Sequence, residues 1–217
     1  AGIPWELGLS EVHQILVSNN LRHKVCLRTD GGIKTGRDVV IASILGAEEY
    51  GIGTTSLVAM GCILVRQCHS DVCPVGICTQ KPELRKKFEG TPEKVVNLFK
   101  FIARETRELL AQLGFKTINE IVGRTDLLRQ ISKEYIKVDT VDLNSLLVKA
   151  VSKYPVYNTV KKRNEVPDSL DSKIINDVKN VIKKKDIIKL NYNVKNTYRA
   201  IGTQLSSYLT QNLNEKS

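Results

Sequence analysis

The sequence predicts an α/β fold of the parallel kind, followed by a smaller, partial second domain. Three features predict it. Helical and strand patterns alternate between residues 9 and 65. Two short strand-like runs each end in a glycine-rich turn that opens a helix. Near residue 131 the composition shifts to Lys, Asn, Asp and Val, which marks a boundary or linker.

In chain order, Leu9, Val12, Ile15, Leu16 and Asn19 recur at helical spacing, so a helix is expected over 9–21 with Ser10 as its N-cap. Lys24 to Arg28 form an apolar-centred run that ends at Thr29-Asp30-Gly31-Gly32, a strand followed by a turn. Asp38 to Gly46 read as a helix closed by Gly46. Glu49 to Gly53 read as a second strand, and Thr54-Thr55-Ser56 caps a further helix expected to reach about Val65. Residues 66–80 form an irregular cysteine loop. Thr91-Pro92-Glu93 starts a long helix whose stripe is Val95, Phe99, Ile102, Thr106, Leu109 and Leu113, closed by Gly114. Residues 123–128 read as a turn and short helix. Beyond 131–170 come an amphipathic helix over 171–186 (Ile174, Ile175, Val178, Ile182), an alternating strand over 187–194 and a helix over 198–212.

The chain has 217 residues, of which 41% are hydrophobic and 26% charged, as in a globular protein large enough for one medium and one smaller domain. No apolar run approaches the ~18 residues a spanning helix requires, so no membrane is expected. The N-terminus lacks a signal peptide and an initiator Met, which reads as a cut through a longer chain. The net charge is +10, concentrated after residue 130. The basic tail has few aromatics to stack on bases, and its Lys residues scatter around helical faces, so it reads as a solvated surface and nucleic acid is not expected.

Three constellations carry chemistry. The first is Cys62, Cys68-His69 and Cys73-Pro74 within the loop. Four of the five cysteines lie between Cys62 and Cys78, against a disulfide framework and for a metal or cluster in a reducing compartment. C-x5-C-x4-C followed by Pro suits thiolates wrapping an iron–sulfur cluster. Zinc on Cys62, Cys68, His69 and Cys73 is a rival, although its usual close pairs are spaced differently. Structural thiols are the third possibility. Cys26 and Cys78 read as small hydrophobes. The second constellation is Arg28 to Gly36, and the third is Gly51-Ile52-Gly53-Thr54-Thr55. Each places glycine-rich backbone at a helix start, where free N–H groups suit a phosphate. Tandem loops of this kind build the phosphate site after strands seven and eight of many (β/α)8 barrels. No dinucleotide fingerprint and no Walker loop is present. Pro4-Trp5-Glu6 precedes the first helix, and His13 and His23 read as surface residues.

The chain resembles the glutamate synthase family. The residues that carry the resemblance are Ala1-Gly2, Pro4-Trp5-Glu6-Leu7-Gly8-Leu9, Arg28-Thr29-Asp30-Gly31-Gly32, Lys34 to Asp38, Leu45 to Glu49, Met60-Gly61-Cys62, Cys68-His69, Cys73-Pro74-Val75-Gly76, Gly90 to Glu93 and Ile121 to Leu128. The match is dense to about residue 129. Asp171 onward, with Asn196-Thr197 and Arg199-Ala200, is similar to the entry to the family's C-terminal β-helix domain. The resemblance implies a C-terminal portion of an FMN-binding (β/α)8 synthase domain over 1–130 with a 3Fe–4S loop and helical extension, a linker over 131–170 and a truncated β-helix start over 171–217. It implies an oxidoreductase acting on CH–NH2 donors, converting 2-oxoglutarate and glutamine-derived ammonia to L-glutamate. It assigns the cluster to Cys62, Cys68 and Cys73. It places FMN phosphate contacts at Asp30, Gly31, Gly32, Lys34, Gly51, Gly53 and Thr54, with Arg28 as a further positive charge. Glu6 falls near the substrate side, and catalytic residues are left unassigned. The Arg66-Gln67-Cys68 and Val75-Gly76-x-Cys78 details are closer to NADPH-dependent bacterial members than to ferredoxin-dependent ones. The implied partners are the remaining domains of the large chain and a small NADPH-oxidising FAD subunit, in the cytoplasm. Alone, the chain is expected to be incomplete and inactive. The alternative reading is a zinc-stabilised basic binding module.

Overall fold

The computed structural model describes residues 2–131, 140–160, 168–184 and 187–212. The chain divides into two compact units, Ala1–Lys161 and Lys162–Ser217.

In the first unit, helix α1 (Trp5–Ser18) starts at Pro4, whose carbonyl accepts the N–H groups of Leu7 and Gly8. It therefore begins a turn before the expected Ser10 cap. Ser10 is instead an interior helical residue, buried, with its hydroxyl donating to the Leu146 carbonyl at 2.7 Å. The buried face is Leu9, Ser10, His13 and Val17, while Val12 and Ile15 of the expected stripe are 48% and 64% exposed.

Strands β1 (Arg28–Thr29) and β2 (Glu49–Tyr50) pair in parallel, Arg28 opposite Glu49 and Thr29 opposite Tyr50. Both are shorter than expected, because each backbone meets only the other among the described residues. Between them, helix α2 (Gly36–Leu45) opens on a capping box. The Thr35 hydroxyl accepts the Asp38 N–H at 3.2 Å, and the Asp38 carboxylate accepts the Thr35 N–H at 3.0 Å. Gly46, at φ 120°, ends it as the sequence suggested. Val39, Ala42 and Leu45 pack with Leu9, Ile33 and Ile102, while Val40 and Ile44 pack with Leu110 and Ile121. A helix apolar on two faces has to be buried between neighbours, and α2 is the core of the unit.

Helix α3 (Thr54–Ala59) stops at Met60, well short of Val65, because Gly61 turns the chain at φ 100°. After the cysteine loop come α4 (Pro82–Arg85) and α5 (Pro92–Gln112). Helix α5 buries Ile102, Thr106 and Leu110 against α2. Phe99 and Leu113, expected in its stripe, remain exposed. The short helix expected near residue 125 is a 3-10 turn, Thr125–Leu127.

Residues 140–160, within the expected linker, lie on this unit. Ser145 and Leu146 carbonyls accept from Gln14 and Ser10, and the Thr159 N–H donates to the His23 carbonyl at 3.0 Å. His23 stacks on Tyr154 with ring centroids 4.6 Å apart.

In the second unit, α6 (Leu170–Lys184) and α7 (Thr203–Asn212) pack together. Asp171 is buried, and its carboxylate accepts the Gly202 and Gln204 N–H groups at 2.7 and 2.8 Å, so a side chain of α6 caps the start of α7. Residues 187–194, expected as a strand, are irregular. Alternation makes a strand only where a second backbone offers a ladder, and the only sheet among the described residues is β1–β2. The observed architecture is therefore mostly helical with few strands, in place of an extended α/β sheet.

Candidate functional site

Parallel pairing sends the chain off the same end of β1 and β2, so the turns after the two strands are neighbours. They are also stitched together. The Thr55 hydroxyl donates to the Ile33 carbonyl at 3.1 Å. A Cβ on Gly51 would lie 2.7 Å from the Asp30 carboxylate, so a larger residue there would have to push that side chain aside. Asp30 accepts the Gly31 N–H at 2.6 Å, and Gly31 and Gly32 take φ 118° and 108°, values open to glycine.

The donors of the first turn are partly used. At the start of α2, the Gly36 N–H donates to Glu105 at 2.7 Å and the Lys34 N–H to Asp38 at 2.9 Å. The N–H groups of Lys34, Thr35 and Gly36 are thus taken up by Asp38 and by Glu105 of α5. Gly36 serves packing: a Cβ would sit 2.5 Å from the Thr106 nitrogen. The α3 end differs. No side chain caps it, and the N–H groups of Gly32, Gly53 and Thr54 have no acceptor among the described residues. Lys34 is exposed. Arg28 is committed elsewhere, donating to the Glu49 carboxylate through Nε at 2.8 Å and Nη2 at 2.5 Å. Glu6 is half-buried in the first turn of α1, and Trp5 packs on the α2 core, its ring 3.9 Å from a Cβ built on Gly31.

From this second turn, α3 leads directly to the cysteines. Six helical residues span about 9 Å. The Cys62 N–H bonds the Leu57 carbonyl at 3.0 Å, and Cys62 Sγ accepts the Leu64 N–H at 3.5 Å. Leu64 and Arg66 adopt left-handed backbone to make this bend. Cys62, Cys68 and Cys73 line a single cleft with the intervening backbone and Pro74. Cys73 is buried, and its thiol is held below the ordinary value by the N–H of Cys78, with further donation from Val75, Ile77 and Gly76. These N–H groups ease the loss of the Cys73 proton. The loop is clipped by Asp71, a left-handed residue whose carboxylate accepts from Thr79 Oγ1 at 2.8 Å and the Gln80 N–H at 2.6 Å. Those bonds hold the Asp71 carboxyl below its usual range. His69 is exposed, and no three His, Cys, Asp or Glu residues among those described are drawn tightly enough for one metal ion. A cluster asks for something else: three thiolates around one space, each reaching a different iron.

Two features escaped the sequence. Cys78, read as a small hydrophobe, is half-buried beside the other thiols. Burial pushes its thiol up, and a hydrogen bond with Cys68 adds to this. The signal was present: Cys78 follows Cys73 at the interval that separates Cys73 from Cys68. Cys26 is exposed, with its thiol on Glu49. The second is a buried polar network. His13, expected at the surface, is 4% exposed and accepts from Arg22 Nε at 3.2 Å. Arg22 is itself buried and donates to the Val25 and Gly46 carbonyls and to Glu48 at 2.5 Å. Glu48 then accepts the Asn158 N–H at 2.7 Å. Burial, with Arg22 adding to it, lowers His13 from 6.5 to about 4, so the ring is neutral. No spacing marks this network, since its members are brought together only by folding.

The family described as the conserved region in glutamate synthase matches residues 1–116, more than half of the chain. The glutamate synthase (NADPH) large chain of Azospirillum brasilense is 59% identical over 212 residues, covering 97% of this chain and 14% of that protein. The glutamate synthase (NADH) of Schizosaccharomyces pombe is 47% identical over 219 residues, covering 100% of this chain and 10% of the relative. A ferredoxin-dependent glutamate synthase of Pyropia yezoensis is 45% identical over 213 residues, covering 98% and 14%. All three align along nearly the whole of this chain, and the chain spans only about a seventh to a tenth of their length. With both kinds of match along one sequence, the chain belongs to the glutamate synthase family, as a segment of its large chain.

Proposed function

We propose that this segment holds the phosphate of FMN and a 3Fe–4S cluster within a glutamate synthase that makes L-glutamate from 2-oxoglutarate and glutamine-derived ammonia. Its first 130 residues belong to the C-terminal part of a (β/α)8 synthase domain, and residues 171–217 begin the next domain. The observation that carries the reading is the cleft shared by Cys62, Cys68 and Cys73, one short helix away from two turns at the same strand ends.

The residues present fit both groups. The N–H groups of Gly32, Gly53 and Thr54 supply donors for a phosphate, and Lys34 supplies positive charge. Asp30 and Gly51 brace the turns against each other and set those donors. Cys62, Cys68 and Cys73 would hold the cluster, and the N–H groups of Val75 to Cys78 stabilise negative charge on the Cys73 sulfur. When bound, the cluster supplies single electrons and FMN the hydride that reduces the imine of 2-oxoglutarate. The Asp71 clip and the left-handed backbone at Leu64 and Arg66 keep the cleft in shape. The remaining domains of the large chain complete the barrel. The name of the Azospirillum relative favours NADPH as the electron source, delivered through an FAD-bearing small subunit.

Iron and acid-labile sulfide analysis of the whole protein, with EPR of the oxidised state, tests this. Three irons per chain are expected, and Ser at Cys62, Cys68 or Cys73 lowers the iron content by more than half. Stoichiometric zinc without sulfide would establish the zinc-stabilised module instead.

A further inference from the structure

We infer that the cavity between the start of α6 and the turn leading into α7 binds a free α-amino acid, its carboxylate on Arg199 and its ammonium on Asp168. The cavity measures about 380 Å³ and is lined by both charged residues, by Ser169 and Tyr198, and by the apolar Leu170 and Ile201. Small-molecule sites usually span about 300–1,000 Å³, so the space suits a ligand of this size.

The walls are fixed, and their charges are unused. Asp171 accepts the Gly202 and Gln204 N–H groups at 2.7 and 2.8 Å, which clamps the turn over 197–202 onto the first turn of α6. Within that turn Ala200 takes left-handed backbone, φ 54°, a conformation that costs free energy in a residue with a Cβ. Arg199 and Asp168 both line the cavity, yet neither makes an ion pair or hydrogen bond among the described residues. Opposite charges that border one cavity without meeting leave room for a molecule that carries the complement of each. The Ser169 hydroxyl oxygen is buried and has no hydrogen-bond partner. A buried hydroxyl without a partner is destabilising, and a ligand that supplies one removes that cost.

The donor set selects the ligand class. The Arg199 guanidinium is a planar fork of N–H donors that matches a carboxylate and repels a cation. The Asp168 carboxylate only accepts, and it takes an ammonium. The Ser169 hydroxyl both donates and accepts, so it can bond either group. Leu170, Ile201 and the Tyr198 ring offer an apolar wall to the ligand's side chain. A dicarboxylate would set a like charge against Asp168, and a simple amine would leave Arg199 without a partner. A molecule with both charges on one carbon satisfies both. The site lies wholly in the second unit, whereas the cysteines and glycine turns lie in the first, so it does not depend on the flavin or cluster assignment.

Hydrogen–deuterium exchange of the whole enzyme tests this. The probes are millimolar L-glutamate, L-glutamine and L-leucine, and the controls are glutarate, which lacks the ammonium, and n-butylamine, which lacks the carboxylate. Amides over 168–171 and 197–204 are expected to exchange several-fold more slowly with an amino acid and to be unchanged by either control. Asp168→Asn and Arg199→Gln, both at exposed positions, are each expected to abolish that protection and leave ligand-free exchange over α6 as in wild type. Should one variant disturb α6 by itself, the other carries the comparison. Protection by glutarate equal to that by L-glutamate overturns the inference, as does protection that survives both substitutions. So does the absence of protection by all three amino acids, including the case in which another part of the large chain covers the cavity and exchange there is slow without ligand.

Discussion

His13 shows how much a single buried side chain governs. Its ring lies between Gly46 and Gly123, where a Cβ on either would come within 2.4 and 2.5 Å of it. The folded ring titrates near 4 and the ordinary value is 6.5. Between these values the unfolded chain binds the extra proton and the folded chain does not. Stability therefore falls as pH drops from about 6.5 to about 4, and the His13 contribution levels off below that. The full loss is about 3 kcal/mol. Urea midpoints measured across this window should show the slope in wild type. His13→Gln should be less stable at neutral pH and lack that part of the slope; equal slopes in both proteins would refute the account. The partner ion pair, Arg22 with Glu48, is of the kind whose rupture costs more than its formation contributes.

At the scale of elements, helix contacts are set by small residues and caps. Gly36 lets α2 approach α5, because a side chain there would meet the Thr106 nitrogen at 2.5 Å and the Ile102 carbonyl at 2.7 Å. Backbone cannot step aside as a side-chain tip can. Gly36→Ala is expected to destabilise the first unit by about 1–3 kcal/mol, visible as a lowered thermal midpoint. In the second unit, Asp171→Ala leaves the Gly202 and Gln204 N–H groups without their acceptor, a loss of about 1–3 kcal/mol. Amide exchange should quicken over α7 and stay unchanged over α2. An even change across both helices would contradict a local cap. Both residues were legible only in part. Gly36 read as phosphate-loop backbone, and Asp171 only as the first residue of a helix expected over 171–186.

On the scale of the first unit, the two-stranded sheet and the exposed Val96, Phe99 and Phe101 of α5 leave apolar surface uncovered among the described residues. An apolar cavity of about 440 Å³ between α2, β2 and α5, walled by Val39, Tyr50, Ile52, Phe99, Ile102 and Leu110, opens on that side. Under the proposed reading, other parts of the large chain fill it. The 217-residue chain expressed by itself is expected to show no FMN-dependent glutamate formation; turnover comparable to that of a whole glutamate synthase would disprove this. Among the described residues no helix is long and apolar enough to cross a membrane.

The sequence by itself determined what depends on neighbours along the chain. Gly46 and Gly114 close their helices and Pro92 opens one. It also carried the family, through runs of residues that need no folding to be read. Tertiary structure alone decided which face of α1 is inside, that residues 187–194 run irregular in place of a strand, and that His13, Arg22, Glu48 and Asn158 meet in one buried network. It also brought Cys78 to Cys68. The physical reason is that burial and hydrogen-bond partnership across long sequence separations come from how elements pack, and periodicity states only that a face is apolar, not what will cover it.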